Sequence, residues 1–152
     1  MTSILACIPD QVAPPVAFSS LEVGPTYFRS VYVVIHKSPE LSDLHKHISN
    51  ELKKLGGIEP RSPRFPHMSL FYIDDSEPDE RQIVANELLS SGRVVNELGD
   101  RIILDCFADS HSTGHKLSGF DGEEIWIVRC EGPVEQWKVL EKVALPHQVK
   151  AV

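Results

Sequence analysis

The segment from Tyr27 to His36 constrains the fold most, because β-branched and aromatic residues make up most of it. That composition is typical of a buried β-strand. Ser38 and Pro39 come next, and they are suited to the N-cap and the first position of a helix. This helix is predicted to continue to a Gly-Gly pair, because apolar residues recur at helical spacing at Leu41, Leu44, Ile48, Leu52 and Leu55.

The remaining elements are predicted from the same kinds of signal. Pro78 in a first turn, with Ser76 and Asp79 as a capping pair, opens a second helix. A third helix is predicted to begin at Gly132-Pro133 and to run to Val143. Strands are expected over residues 67–73, 101–108 and 124–130. The order β-α-β-α-β-β-α predicts an α+β fold in which helices cover one side of a mostly antiparallel sheet.

One domain is expected over residues 21–145. Residues 1–20 contain three prolines and are interpreted as a poorly ordered leader, and residues 146–152 are interpreted as a tail. The polar stretch from Asp109 to Gly122 is predicted to be a long loop.

Charge and composition exclude several kinds of protein. The net charge of −7 over 152 residues argues against a long nucleic-acid partner, which needs a basic surface, but leaves room for a small phosphorylated ligand. No apolar run reaches the ~20 residues of a membrane-spanning helix. The three cysteines have no CxxC spacing, so we expect a soluble protein of a reducing intracellular compartment.

The candidate site lies in the apolar segment that contains His67 and Ser69. On an ideal strand these two residues and Phe71 point to one face, whereas Met68, Leu70 and Tyr72 point to the other. An imidazole beside a hydroxyl can bind a phosphate oxygen and transfer a proton next to it. The same alternation also occurs in half-buried strands that have no function.

Other motifs are weaker. The sequence His111-Ser112-Thr113 repeats the H-x-[ST] pattern, but it lies in a polar loop where no strand aligns the side chains. His45 and His47 would project from different faces of a helix, and His111 and His115 lie in a serine-rich loop without further Cys or carboxylate ligands, so no metal is expected. Neither a glycine-rich phosphate loop nor a GxSxG sequence is present.

The stretch from Pro66 to Tyr72 resembles the second signature of the two-histidine (2H) phosphoesterases, and in particular the fungal and plant cyclic phosphodiesterases. The similarity extends in order from about Leu21 to Leu145, and it includes the segments 27–32, 38–41 and 129–137. It implies the C-terminal part of a two-lobed fold in which each lobe contributes one signature. The sequence has no counterpart of the first signature, which indicates a truncated gene model or a lost lobe.

The resemblance also implies the roles of residues. His67 would be one half of an acid/base pair, Ser69 would bind a phosphate oxygen, and Tyr72 would line the substrate pocket. Tyr72 needs a bend or a bulge to reach the face of His67. No metal or other cofactor is implied.

The implied substrate is a nucleoside 2′,3′-cyclic phosphate, or the ADP-ribose 1″,2″-cyclic phosphate that relatives handle after tRNA splicing. The fungal relatives are associated with the Golgi apparatus. The alternative is a catalytically inactive half-domain that binds nucleotide or a partner protein. Without an opposing lobe, an uncovered sheet edge would favour self-association.

Overall fold

The computed structural model describes residues 4–56, 65–106 and 116–146. Within these ranges the chain forms nine strands, two α-helices and two short 3₁₀ helices, Ile4–Cys7 and Val134–Gln136. The strands and α-helices are β1 (Pro15–Thr26), β2 (Arg29–Ile35), α1 (Pro39–Gly56), β3 (His67–Phe71), α2 (Pro78–Ser90), β4 (Val94–Glu97), β5 (Arg101–Asp105), β6 (Lys116–Leu117), β7 (Gly119–Asp121), β8 (Glu124–Arg129) and β9 (Lys138–Ala144).

Both long helices lie where the sequence predicts them. The backbone N–H of Leu41 donates to the hydroxyl of Ser38 at 3.2 Å, so Ser38 caps α1 as expected. Pro78 begins α2, but the N-cap residue is Glu77 and it makes no side-chain capping bond. The prediction that Ser76 and Asp79 form a capping pair is therefore wrong.

The structure corrects the interpretation of the N-terminal segment. Residues 15–20, which were expected to belong to a poorly ordered leader, form the first half of β1. Pro15 is tolerated because it is the first residue of that strand. Phe18 and Ser20 then pair with Ile35 and Val34 of β2. The domain boundaries near residues 20 and 145 stay predictions.

The predicted third helix is wrong as well. After Gly132, which has φ 72°, the chain makes one 3₁₀ turn and continues as β9. β9 pairs antiparallel with β8, from Arg129 opposite Lys138 to Glu124 opposite Ala144. The second half of the predicted loop at 109–122 is also partly extended, because it contains β6 and β7.

The chain folds into two compact units. The unit that contains the candidate site comprises the described residues 17–36, 65–106 and 116–120. Its main sheet has the strand order β3-β2-β1-β7, and a second sheet has the order β4-β5-β6. α2 packs against β2 and β4. The buried side chains of this unit include Phe18, Val31, Tyr32, Val33, Ile35, Ala85, Val94, Ile102 and Leu104.

β2 is central in that sheet and is buried over nearly its whole length. This explains why its sequence is an almost continuous apolar run rather than an alternating one. Gly24 is required on the neighbouring strand β1, because a Cβ atom there would lie 2.1 Å from the carbonyl oxygen of Arg29.

The other unit comprises the described residues 4–16, 37–56 and 121–146. In it, α1 packs against the 3₁₀ helix Ile4–Cys7, and both Leu44 and Cys7 are buried. β8 and β9 form a two-stranded sheet.

Both units combine helices with antiparallel strand pairs, which confirms the predicted α+β class. In the part of the chain that the structure describes, no helix is long and apolar enough to cross a membrane.

Candidate functional site

His67 and Ser69 lie on the same face of β3, as the sequence predicts. His67 pairs with Val34 and Ser69 pairs with Tyr32 in the antiparallel ladder between β3 and β2. Directly opposite residues in such a ladder share a face. The buried ring of Tyr32 contacts the imidazole of His67 edge-on, with their centroids 5.6 Å apart. Both His67 and Ser69 are half-buried.

A β-bulge follows directly after Ser69. Tyr32 pairs with Ser69 and Val31 pairs with Phe71, so Leu70 is the extra residue of β3. Because Val31 and Tyr32 point to opposite faces of β2, Phe71 lies on the face opposite Ser69. The expectation that Phe71 shares the face of His67 is therefore wrong.

Tyr72 directly follows the last residue of β3, and alternation continued from Phe71 assigns it to the face of His67 and Ser69. Two contacts agree with this placement. The ring of Tyr72 lies 5.6 Å from the ring of Tyr27. Phe28 is the residue after Tyr27, and its carbonyl oxygen accepts a hydrogen bond from the hydroxyl of Ser69 at 3.3 Å. His67, Ser69 and Tyr72 thus share one face, which we call the His67 face.

Ser30 fixes the chain just after Tyr72. Its side chain is completely buried, and its hydroxyl oxygen accepts the backbone N–H of Ile73 at 2.9 Å. The hydroxyl proton can be donated to the carbonyl oxygen of Tyr27 at 2.9 Å or to that of Ile73 at 3.1 Å. One buried hydroxyl therefore joins the start of β2 to the end of β3 and holds Tyr27 and Tyr72 near each other.

Arg81 of α2 also binds the segment that follows Tyr72. Its side chain is 2% exposed, and Nη2 donates to the carbonyl oxygens of Ile73 at 3.1 Å and Asp74 at 3.2 Å. It also forms an ion pair with the carboxylate of Asp75. The backbone N–H of Ser76, together with its hydroxyl, hydrogen-bonds the Asp74 carboxylate and keeps the pKa of Asp74 below its usual value. These hydrogen bonds stabilise the folded protein above the usual pKa of Asp74, and their contribution is lost as the pH falls through the lowered pKa of Asp74.

We expect Arg81→Ala to lower the free energy of unfolding by about 3 kcal/mol, because two backbone carbonyls lose their donor and a buried side chain is removed. Chemical denaturation measures this change. Gln82→Ala, at an exposed position of the same helix, is the control and should stay within about 0.5 kcal/mol of the parent. Equal stabilities of the two variants would contradict this anchoring role of Arg81.

Three residues of the His67 face, namely Glu22, Tyr32 and His36, were not identified as site residues from the sequence. Glu22 of β1 pairs with Tyr32, so both belong to this face, and Glu22 accepts a hydrogen bond from Ser20. His36 follows β2, and its N–H donates to the carbonyl oxygen of Ala17, so the alternation of β2 continues to it. The imidazole Nε2 of His36 lies 3.0 Å from the carbonyl oxygen of Asp100. The polar-apolar alternation from Ser20 to Val23 is the signal that could have revealed Glu22.

Of the other histidine candidates, only His45 and His47 lie in the described residues. His111, Ser112, Thr113 and His115 lie outside the described residues. His45 and His47 lie on α1. No group of three or more His, Cys, Asp or Glu side chains in residues 4–56, 65–106 and 116–146 is arranged to hold a metal ion. The expectation of a site without metal stays a prediction.

Comparisons with known proteins give consistent results. A sequence model of the family described as "Cyclic phosphodiesterase-like protein" matches residues 1–145. A curated protein of Kluyveromyces lactis, named 2′,3′-cyclic-nucleotide 3′-phosphodiesterase, is 28% identical over 137 residues. The match covers 86% of this chain and 62% of that protein, so the chain spans about three fifths of the length of its curated relative.

Proposed function

Because this chain belongs to the cyclic phosphodiesterase-like family, we propose that its His67 face is half of an active site that hydrolyses nucleoside 2′,3′-cyclic phosphates to 2′-phosphates. The observation that carries the proposal is the register of β3, which puts His67 and Ser69 on one face; the bulge at Leu70 supports the proposal that Tyr72 joins them. The name of the Kluyveromyces lactis relative supports the choice of substrate.

In the proposed reaction, water attacks the phosphorus atom and the bond between phosphorus and the ribose 3′ oxygen breaks. One acid/base group takes a proton from the water, and another gives a proton to the leaving 3′ oxygen. His67 is proposed to be one of these two groups. In the structure the hydroxyl of Ser69 donates to the carbonyl oxygen of Phe28. To bind a non-bridging phosphate oxygen it must turn its proton toward the ligand.

The finer parts of the proposal rest on the resemblance. The same chemistry on ADP-ribose 1″,2″-cyclic phosphate would leave the 1″-phosphate, as in relatives that act after tRNA splicing. A metal is not needed if a protonated imidazole supplies positive charge beside the phosphate. The Golgi apparatus is proposed as the location on the same basis. The charge of −7 favours a small substrate over a long nucleic acid.

A second candidate function is nucleotide binding without turnover. It is favoured because β3 contributes one H-x-S motif to the His67 face, whereas the family pattern combines two. A phosphate could then be bound through Ser69 and His67 while the proton transfers stay incomplete. Binding and turnover therefore have to be measured separately.

Binding is tested by NMR with adenosine 2′-monophosphate. We expect the amide signals of residues 65–72 to shift. We also expect Ser69→Ala to weaken binding by about 10-fold or more, because it removes a hydrogen bond to a charged group. Ser91→Ala, at an exposed hydroxyl after α2, should bind as the parent does. Shifts confined to residues 107–115 would show that the other H-x-[ST] sequence is the phosphate site.

A further inference from the structure

A small cavity lies at one end of the hairpin formed by β8 and β9, in the unit that does not contain the His67 face. Its volume is about 270 Å³, close to the lower limit of about 300 Å³ for small-molecule pockets. The residues that line it are Arg129, Glu131, Gly132, Gln136 and Lys138. This cavity, which we call the hairpin cavity, therefore contains two cations and one carboxylate.

The two cations of the hairpin cavity are directly opposite each other. Arg129 of β8 pairs with Lys138 of β9, so both side chains project from the same face of the hairpin. Like charges in this arrangement repel and destabilise a strand pair. Glu131 offsets part of the repulsion, but its carboxylate is 4.0 Å from Nε of Arg129 and both side chains are more than half exposed. None of the ion pairs within the described residues includes Lys138.

The other cation of β9, Lys142, has partners within the same hairpin. Its Nζ lies 3.8 Å from the centre of the Trp126 ring and 4.0 Å from the carboxylate of Glu124. The indole N–H of Trp126 donates to the same carboxylate at 2.6 Å. The hairpin thus compensates the charge of Lys142, whereas Lys138 faces a second cation.

The loop between β8 and β9 forms part of the cavity wall and is fixed by hydrogen bonds. The indole N–H of Trp137 donates to the carbonyl oxygen of Gly132 at 3.2 Å, and the backbone N–H of Gln136 donates to that of Pro133 at 2.9 Å. Gly132 has φ 72°, and a Cβ atom there would lie 2.8 Å from Oε1 of Gln136. The absence of a side chain at Gly132 therefore leaves room for Gln136, whose amide lines the cavity.

We propose that the hairpin cavity binds a small phosphomonoester through its phosphate group. The guanidinium of Arg129 can donate two parallel hydrogen bonds to phosphate oxygens, and the amide of Gln136 supplies a further donor. A phosphomonoester carries a charge of about −1.5 to −2 at pH 7, so it neutralises Arg129 and Lys138 together and removes their repulsion. A carboxylate, with a single charge, does so only in part. The residues of this site are not those of the His67 face, so the inference does not depend on the proposed function.

The test titrates the full chain with inorganic phosphate and with ribose 5-phosphate, and uses acetate at equal ionic strength as the control. NMR follows the indole N–H of Trp137, because this group is hydrogen-bonded to a residue of the cavity. We expect this signal and the amide signals of residues 131–138 to shift with ribose 5-phosphate, while the indole N–H of Trp126 stays unchanged. Signals of residues 65–72 report the His67 face separately. Binding of inorganic phosphate alone would overturn the assignment to an ester.

Substitutions of single charges test which residues bind the phosphate. Arg129→Gln and Lys138→Gln should each weaken binding at the cavity about 10-fold or more, because each removes a charged hydrogen-bond donor. Glu131→Gln should strengthen binding, because it removes the negative charge beside Arg129. Lys142→Gln is the matched control, since it removes the same charge from the same strand but at a lysine that lies over Trp126. It should bind as the parent does.

Thermal unfolding separates ligand binding from a structural role of the two cations. In phosphate-free buffer Arg129→Gln and Lys138→Gln should be no less stable than the parent, because the repulsion is removed. Ribose 5-phosphate should stabilise the parent and Lys142→Gln, and should stabilise the other two variants less.

Three outcomes would overturn the inference. The first is the absence of shifts at Trp137 and residues 131–138 with either phosphate, which would leave the proposed function intact. The second is an equal loss of binding in Lys142→Gln, because net charge alone would then explain the effect. The third is a loss of stability in Arg129→Gln and Lys138→Gln with unchanged binding, because the two cations would then have a structural role.

Discussion

Fusing this chain to the part of the Kluyveromyces lactis relative that it does not match is expected to raise turnover of nucleoside 2′,3′-cyclic phosphates about 10²- to 10⁴-fold. The family resemblance implies that the missing first H-x-[ST] signature faces the one that contains His67, and general acid/base assistance from one group is worth about that factor. Release of the 2′-phosphate is measured for the chain alone and for the fusion.

The same experiment tests self-association. We propose that the chain alone associates through uncovered strand edges and that the fusion sediments as a monomer. A fusion that is monomeric but no faster than the chain alone would contradict the catalytic part of the prediction. Full turnover by the monomeric chain alone would show that the second acid/base group is already present. His36 and Glu22 would then be replaced first, because both belong to the His67 face.

The second large effect is expected in the active fusion, where His67→Ala should lower turnover by at least about 100-fold. The histidine is proposed to transfer a proton in the step that breaks the bond from phosphorus to the 3′ oxygen. Steady-state rates with saturating substrate measure the loss. His111→Ala, in the other H-x-[ST] sequence, is the control and should stay near the parent rate.

The fusion also tests whether a metal takes part. EDTA should leave the rate unchanged if protonated imidazole supplies the positive charge. Inhibition that zinc or manganese reverses would overturn the proposal of a metal-independent reaction.

A similar loss of turnover in His67→Ala and His111→Ala would contradict the assignment of His67 as an acid/base group.

Local signals predicted the parts of the fold that local interactions determine. The helices α1 and α2 and the strands β2, β3, β5 and β8 could be located because apolar periodicity, capping residues and glycine act within a few residues of each other.

The segment 134–143 was predicted incorrectly because its apolar residues fit two periods. Val134, Trp137, Leu140 and Val143 recur at helical spacing, but pairing with β8 stabilises an extended chain from Lys138 onward. A strand of this kind depends on its partner, which a local pattern does not contain. The prolines of residues 9–15 similarly concealed β1, whose register is set by β2.

The candidate site shows the same contrast between local interactions, which the sequence predicts, and interactions between distant residues, which it does not. That His67 and Ser69 share a face follows from the period of a strand, so the sequence was sufficient. The bonds that hold Tyr72 in place join positions far apart in the chain, such as Ser30 and Ile73, which are separated by 43 residues. Such bonds depend on the tertiary fold, and the sequence predicted only that a bulge was needed.

The bulge at Leu70 has a consequence for how related sequences should be aligned. Because Leu70 is the extra residue of β3, deleting it would straighten the strand and leave Phe71 and Tyr72 on their present faces. Deleting Met68 would instead turn His67 away from Ser69. Relatives with one or two residues between the serine and the tyrosine can therefore present the same three side chains, and an alignment gap at Leu70 does not separate different sites.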